Sequence, residues 1–219
     1  MRLGIKLRVI KGFSSAKSIL SRLVPTESYP VSPALRQELK KMFGTDDPVP
    51  AVRQIVDEVR EKGDAALIDL TLKIDGIKLL SLEISKKQIA SAYQEVDKEL
   101  VSALELAAER IGSFHKAQKN NIWHELAGAD SSQLIRPLER IGIYVPGGTA
   151  SYPSTVLMTV IPAKVAGVKE VILVTPPISG GTVPPATLVA ADIAEVARVF
   201  CIGGAQAIAA LAFGTMSIP

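Results

Sequence analysis

Two glycine pairs, Gly147-Gly148 and Gly203-Gly204, each stand between an apolar run and an Ala-rich run, which makes them the first candidates for holding a ligand. Glycines there let the backbone approach a ligand closely, and a helix starting just beyond offers free N–H donors to a phosphate. Tyr144 closes the apolar run before the first pair, and Gln206 lies two residues past the second. The Tyr144 phenol could stack on a ring or bond a ribose; it fits equally as a core aromatic with its hydroxyl at the surface. The Gln206 amide could face a cleft or lie on a plain helix surface. Neither pair matches G-x-G-x-x-G, so spacing alone leaves tight sheet turns as an open reading.

The other chemistry-bearing residues are poorly placed. His115 and His124 are the two histidines of the chain and its candidates for a neutral-pH base or an imidazole ligand. They fall at the end of a long helical pattern and in a polar stretch beyond it, away from the glycine turns. His115, beside Lys116 and Gln118, reads as a solvated helix face. Cys201 is the single cysteine, which excludes an internal disulfide and a cysteine-rich zinc site. Mid-strand and without an adjacent base, it reads as a small buried apolar residue in a reducing cytoplasm. There is no Gly-x-Ser-x-Gly elbow, Walker loop, His-Glu-x-x-His or clustered carboxylate pair, so no catalytic residue is assigned.

The elements that must position the glycine turns repeat three times. Ile141–Val145, Val171–Val174 and Arg198–Ile202 are predicted strands, each followed by a Gly or Pro turn. Helices follow from about Pro153 to Val165, Ala186 to Ala194 and Ala205 to Phe213. Short, mostly β-branched runs almost free of charge suit strands buried on both faces, and their alternation with helices implies right-handed crossovers in one parallel sheet. Such sheets bind ligands beyond the carboxyl ends of their strands. The class is therefore α/β: a Rossmann-like parallel sheet over 136–219, incomplete at about three strands, preceded by a mainly helical region over 1–135.

In that first region, Pro33 to about Gly44, Val52 to Lys62 and Ala66 to Asp75 have helical spacing, and Leu82-Glu83-Ile84 is short and strand-like. Ser85 with Gln88 forms a capping-box signature. A long helix is predicted from about Asp97 to Gln118. The polar stretch Asn120–Ser132 is expected to be an exposed hairpin or loop at the domain boundary. Early basic residues and serines could pass for a transit peptide, but Leu7–Ile10 as a strand and a Ser15-capped helix through Leu23 favour mature structure.

Composition sets outer limits. The 219 residues are 47% hydrophobic and 21% charged, with a net charge of +3, an ordinary globular balance. No basic stripe with interleaved aromatics points to nucleic acid, and no run approaches ~18 apolar residues, the length of a membrane span.

Several stretches together carry a family resemblance: Arg136-Pro-Leu-Glu-Arg-Ile-Gly-Ile-Tyr-Val-Pro-Gly-Gly148, Pro153-Ser-Thr-Val-Leu-Met158, Pro162-Ala-Lys-Val-Ala-Gly167, Val174-Thr-Pro-Pro177 and Gly203-Gly-Ala-Gln-Ala-Ile-Ala-Ala-Leu-Ala-Phe-Gly-Thr215. With Phe114–Gln118, Gly63–Leu67 and the opening Val9–Gly12, they resemble the N-terminal half of histidinol dehydrogenases. The resemblance implies NAD-dependent oxidation of L-histidinol to L-histidine in histidine biosynthesis, with zinc, in a cytoplasmic homodimer. It implies that Tyr144 and Gln206 contact NAD. It places the third NAD contact, the zinc ligands and a Glu-His acid–base pair past Pro219, and gives His115 and His124 no role. The expectation is two incomplete domains of a fragment inactive alone. Alternatives are one half of a split enzyme and a non-catalytic nucleotide-binding module.

Overall fold

The computed structural model describes residues 10–13, 16–17, 31–127, 135–147 and 150–219, with only the backbone of 121–127. The strand expected over Leu7–Ile10 and the helix from Ser15 to Leu23 lie essentially outside the described residues. From Pro33 onward the described helices ahead of the sheet are α1 (Pro33–Phe43), α2 (Pro48–Lys62), α3 (Asp64–Asp75), α4 (Lys86–Glu95) and α5 (Lys98–Ala127). Their starts follow from local chemistry. Ser32 Oγ accepts from Leu35 N at 3.2 Å and Asp47 Oδ1 from Val49 N at 2.9 Å, each just ahead of a first-turn proline. The Ser85–Gln88 capping box forms in full at the start of α4.

α5 departs from expectation. It continues to Ala127, so the first eight residues of the supposed Asn120–Ser132 loop are helical, and 128–134 lie outside the described residues. The stretch is polar, yet it holds no glycine or proline before Gly128. Asparagine costs a helix only a few tenths of a kcal/mol, too little to stop one already running.

The sheet matches its sequence pattern to within about a residue: β1 (Arg140–Tyr144), α6 (Pro153–Ala166), β2 (Glu170–Thr175), α7 (Pro185–Ile193), β3 (Arg198–Cys201) and α8 (Gly204–Phe213). The strands are parallel in the order β1-β2-β3, with Gly142 opposite Ile172 and Val174 opposite Phe200. Val171 to Thr175 are all buried, as a central strand covered on both faces requires. α6 and α7 fill the crossovers and pack on each other, while α8 turns back to lie on β1 and on α2. A Cβ on Gly142 would stand 2.6–2.9 Å from three Leu211 side-chain atoms, so this glycine lets α8 sit down on the sheet. α8 keeps Ala207, Ala209 and Ala210 buried but leaves Ile208 52% and Phe213 50% exposed, its apolar surface only partly covered.

Two long-range clasps join the helical region to the sheet. Leu82–Ile84 runs antiparallel beside β3, with Ile84 N donating to Val199 O at 2.9 Å and Cys201 N to Leu82 O at 2.8 Å. The Arg198 guanidinium donates to both Glu83 carboxylate oxygens at 2.9 and 2.6 Å, and that bond holds the Glu83 carboxyl below its usual range. At the other end, Ser217 Oγ donates to Asp64 Oδ2 at 2.6 Å, at the start of α3, and Ile218 is fully buried. Buried residues from Ile55 to Ile218 form one continuous hydrophobic cluster.

Partial burial alone would raise the Asp64 pKa, but hydrogen bonds from the Ser217 and Thr215 side chains and the Ser217 backbone hold it below the ordinary 3.8. A depressed carboxylate adds stability above its unfolded pKa and loses it as pH falls through the folded value. Asp64→Asn is therefore expected to lower unfolding free energy by about 1 kcal/mol at pH 6, with the gap to wild type narrowing by pH 3 in urea titrations.

The turn leaving α7 supplies a second test. Glu195 takes a left-handed φ of 58° between two C-capping bonds, Glu195 N to Asp192 O and Val196 N to Ala191 O, both 2.9 Å. A side chain there costs about 1–2 kcal/mol, partly offset by the entropy of a flexible replacement. Glu195→Gly should raise unfolding free energy by about 0.5–1 kcal/mol, read as a higher thermal midpoint.

Candidate functional site

The loops after the three strands converge on Pro176, the first residue past β2. A Cβ on Gly147 would lie 3.3 Å from Pro176 Cδ, and one on Gly203 would lie 2.6 Å from Pro176 Cγ. A side chain at 203 would force Pro176 away, and one at 147 would require it to give by a few tenths of an ångström. Gly148, the other half of the first pair, is outside the described residues.

This convergence brings the two candidate contacts to one place. Tyr144 ends β1, and its hydroxyl oxygen accepts from Gly204 N at 3.2 Å, across 60 residues of sequence. Gln206 sits in the first turn of α8, wholly buried, rather than on a plain helix surface. Its amide nitrogen and oxygen find no hydrogen-bond partner among the described residues. Gly204 lies between them at a φ of +64°, and a Cβ there would meet Gln206 Oε1 at 2.6 Å. Only glycine fits that conformation without strain, and its bareness leaves room for the Gln206 amide. The site thus combines a helix N-terminus, a half-buried phenol and a primary amide ready to exchange hydrogen bonds.

The remaining candidates stay apart from it. Cys201 is fully buried at the end of β3, its Sγ 3.7 Å from Gly181 O. Burial, with the charge of Asp75 adding to it, pushes the thiol up to about 12, far from a reactive thiolate. His115 is partly buried on α5, its Nδ1 2.9 Å from Gln118 Oε1. It lines a 510 Å³ groove with Lys119, Pro137 and Pro162, where Lys119 Nζ donates to Val165 O at 2.9 Å. His124 lies on α5 among the residues described by backbone alone. Among the described residues, no group of three or more His, Cys, Asp or Glu is placed so that it could hold a metal ion. Sequence reasoning missed the pivotal place of Pro176, although it lies within the Val174–Pro177 motif.

A family model described as histidinol dehydrogenase matches residues 40–219. The chain belongs to the histidinol dehydrogenase family. A histidinol dehydrogenase of Dehalococcoides mccartyi strain CBDB1 is 50% identical over 213 residues, covering 97% of this chain and 48% of that protein. One from Methanococcus maripaludis is 51% identical over 174 residues, covering 78% of this chain and 41% of that protein. The crystal structure of histidinol dehydrogenase from Elizabethkingia anophelis superposes with a TM-score of 0.69 at 33% identity, covering 84% of this chain and 44% of that one. The chain spans about half the length of the curated histidinol dehydrogenases it matches. Family membership accords with the motif series that crosses β1, α6, β2, β3 and α8.

Leaving a buried amide unpaired costs roughly 1–3 kcal/mol, and an apolar replacement of similar shape removes that cost. Gln206→Met is accordingly expected to raise the unfolding free energy of the ligand-free chain by about 1 kcal/mol in urea titration. A loss of stability on that substitution would show instead that the amide is satisfied.

Proposed function

We propose that this chain carries part of the NAD-binding surface of an enzyme that oxidises L-histidinol to L-histidine, with Tyr144 and Gln206 as dinucleotide contacts. The observation that supports this best is the fully buried Gln206 amide, without a partner among the described residues, beside the Gly204 amide at the strand ends. Folding places a costly polar group there, and a ligand able to bond it would recover that cost. Ligands of doubly wound sheets bind in this location. NAD, when bound, supplies the hydride acceptor. The chain's own share is to orient it: the start of α8 favours negative charge, and Tyr144 offers a ring face and a hydroxyl.

Zinc binding and acid–base chemistry belong, by resemblance, to family positions outside the matched half. The same reading assigns a small-molecule substrate rather than nucleic acid or membrane, a homodimer for the whole enzyme and a cytoplasmic setting. No described helix is long and apolar enough to cross a membrane. Residues 1–135 and 136–219 are read as parts of two domains that share the continuous core as their interface.

Isothermal calorimetry on the 219-residue chain tests the site. NAD should bind, and Gln206→Met and Tyr144→Ala should each weaken it about tenfold or more, the worth of a lost bond or stacked ring. Absence of NAD binding, or affinity unchanged in both variants, would overturn the assignment.

A further inference from the structure

α8 begins with its anion-attracting end already occupied. Gly203, its cap, carries no side chain, and no side-chain cap reaches the first turn. Gly204 N–H donates instead to the Tyr144 hydroxyl, which comes from a different strand. In the same turn Gln206 is fully buried, without a partner among the described residues, and its Oε1 is directed at Gly204. We infer that the Tyr144 hydroxyl is an autoinhibitory placeholder at the start of α8, which an oxyanion of a phosphate-bearing ligand must displace from Gly204 N–H in order to bind.

The inference rests on the nucleotide reading above and adds to it a competition within the protein. A neutral hydroxyl is the weaker acceptor; a charged oxygen forms a bond roughly twice as strong and also gains from the helix dipole. A phosphate can therefore win the Gly204 amide where a neutral carbonyl or sugar hydroxyl gains nothing by the exchange. The placeholder so favours charged ligands over uncharged ones, and it keeps the first amide of α8 paired while the site is empty.

Tyr144→Phe keeps the ring and removes only the competing oxygen. In the ligand-free chain, Gly204 amide exchange followed by NMR should speed up about two- to tenfold in the variant. Calorimetric affinity for inorganic pyrophosphate should rise by a similar factor. Exchange left unchanged, pyrophosphate affinity equal or weaker in the variant, or no pyrophosphate binding to either protein would each overturn the placeholder. NAD titrated into wild type separates the two ideas. Binding of NAD together with any of those results removes the placeholder and leaves the nucleotide site standing. Faster exchange and tighter pyrophosphate without NAD binding keep the placeholder and remove the dinucleotide reading.

Discussion

The seating of α8 on β1 governs the rest of the structure. Leu211 occupies the space over Gly142 where any other residue would put a side chain, and this close approach draws α8 back across the sheet after β3. Because α8 follows β3 directly, its N-terminus lies at the carboxyl ends of the strands, where Gly204 N meets the Tyr144 hydroxyl. α2 packs on the outer side of the same helix, with the Arg60 guanidinium 5.2 Å from the Phe213 ring centroid. The residues after α8 fold onto the start of α3, bury Ile218 and clasp Asp64.

A three-stranded parallel sheet leaves edges, and β3 deals with its own by borrowing backbone from the helical region. Leu82–Ile84 satisfies the Val199 carbonyl and the Cys201 amide, so the edge ladder is extended by a local antiparallel pair. The Glu83–Arg198 pair on this strap is partly exposed, so its net worth is modest, and its bidentate geometry serves mainly to fix register. Further along, Tyr93 donates to Asp192 at 2.8 Å and ties α4 to α7. Burial and that carboxylate push the phenol up to about 12, so the link stays protonated across the ordinary pH range.

Against this well-satisfied framework the strand-end site is the exception. Buried polar groups are almost always paired, and here a whole primary amide is not, among the described residues. The framework tolerates the cost because buried alanines and the close seat of Leu211 over Gly142 anchor α8. Gln206 shares its buried face with Ala209 and Ala210, three and four residues further along the helix.

Much of the fold could be read from residue order. Alternating β-branched and Ala-rich runs determined the three parallel strands and their helices, because periodicity and turn chemistry act over a few residues. Ser32, Asp47 and the Ser85–Gln88 pair set helix starts for the same reason. Polar composition misled at Asn120–Ala127, where absence of a breaker mattered more than polarity. Gly203-Gly204, Tyr144 and Gln206 were legible as candidates, but not their meeting, nor that Gln206 is buried. The hydrogen bond from Gly204 to Tyr144, the β3 strap and the Asp64 clasp join residues 60, 115 and 153 positions apart. Residue order alone dictates which short elements form and how they follow one another. What those elements bring together rests on packing, because such contacts depend on how closely one helix can settle on one strand.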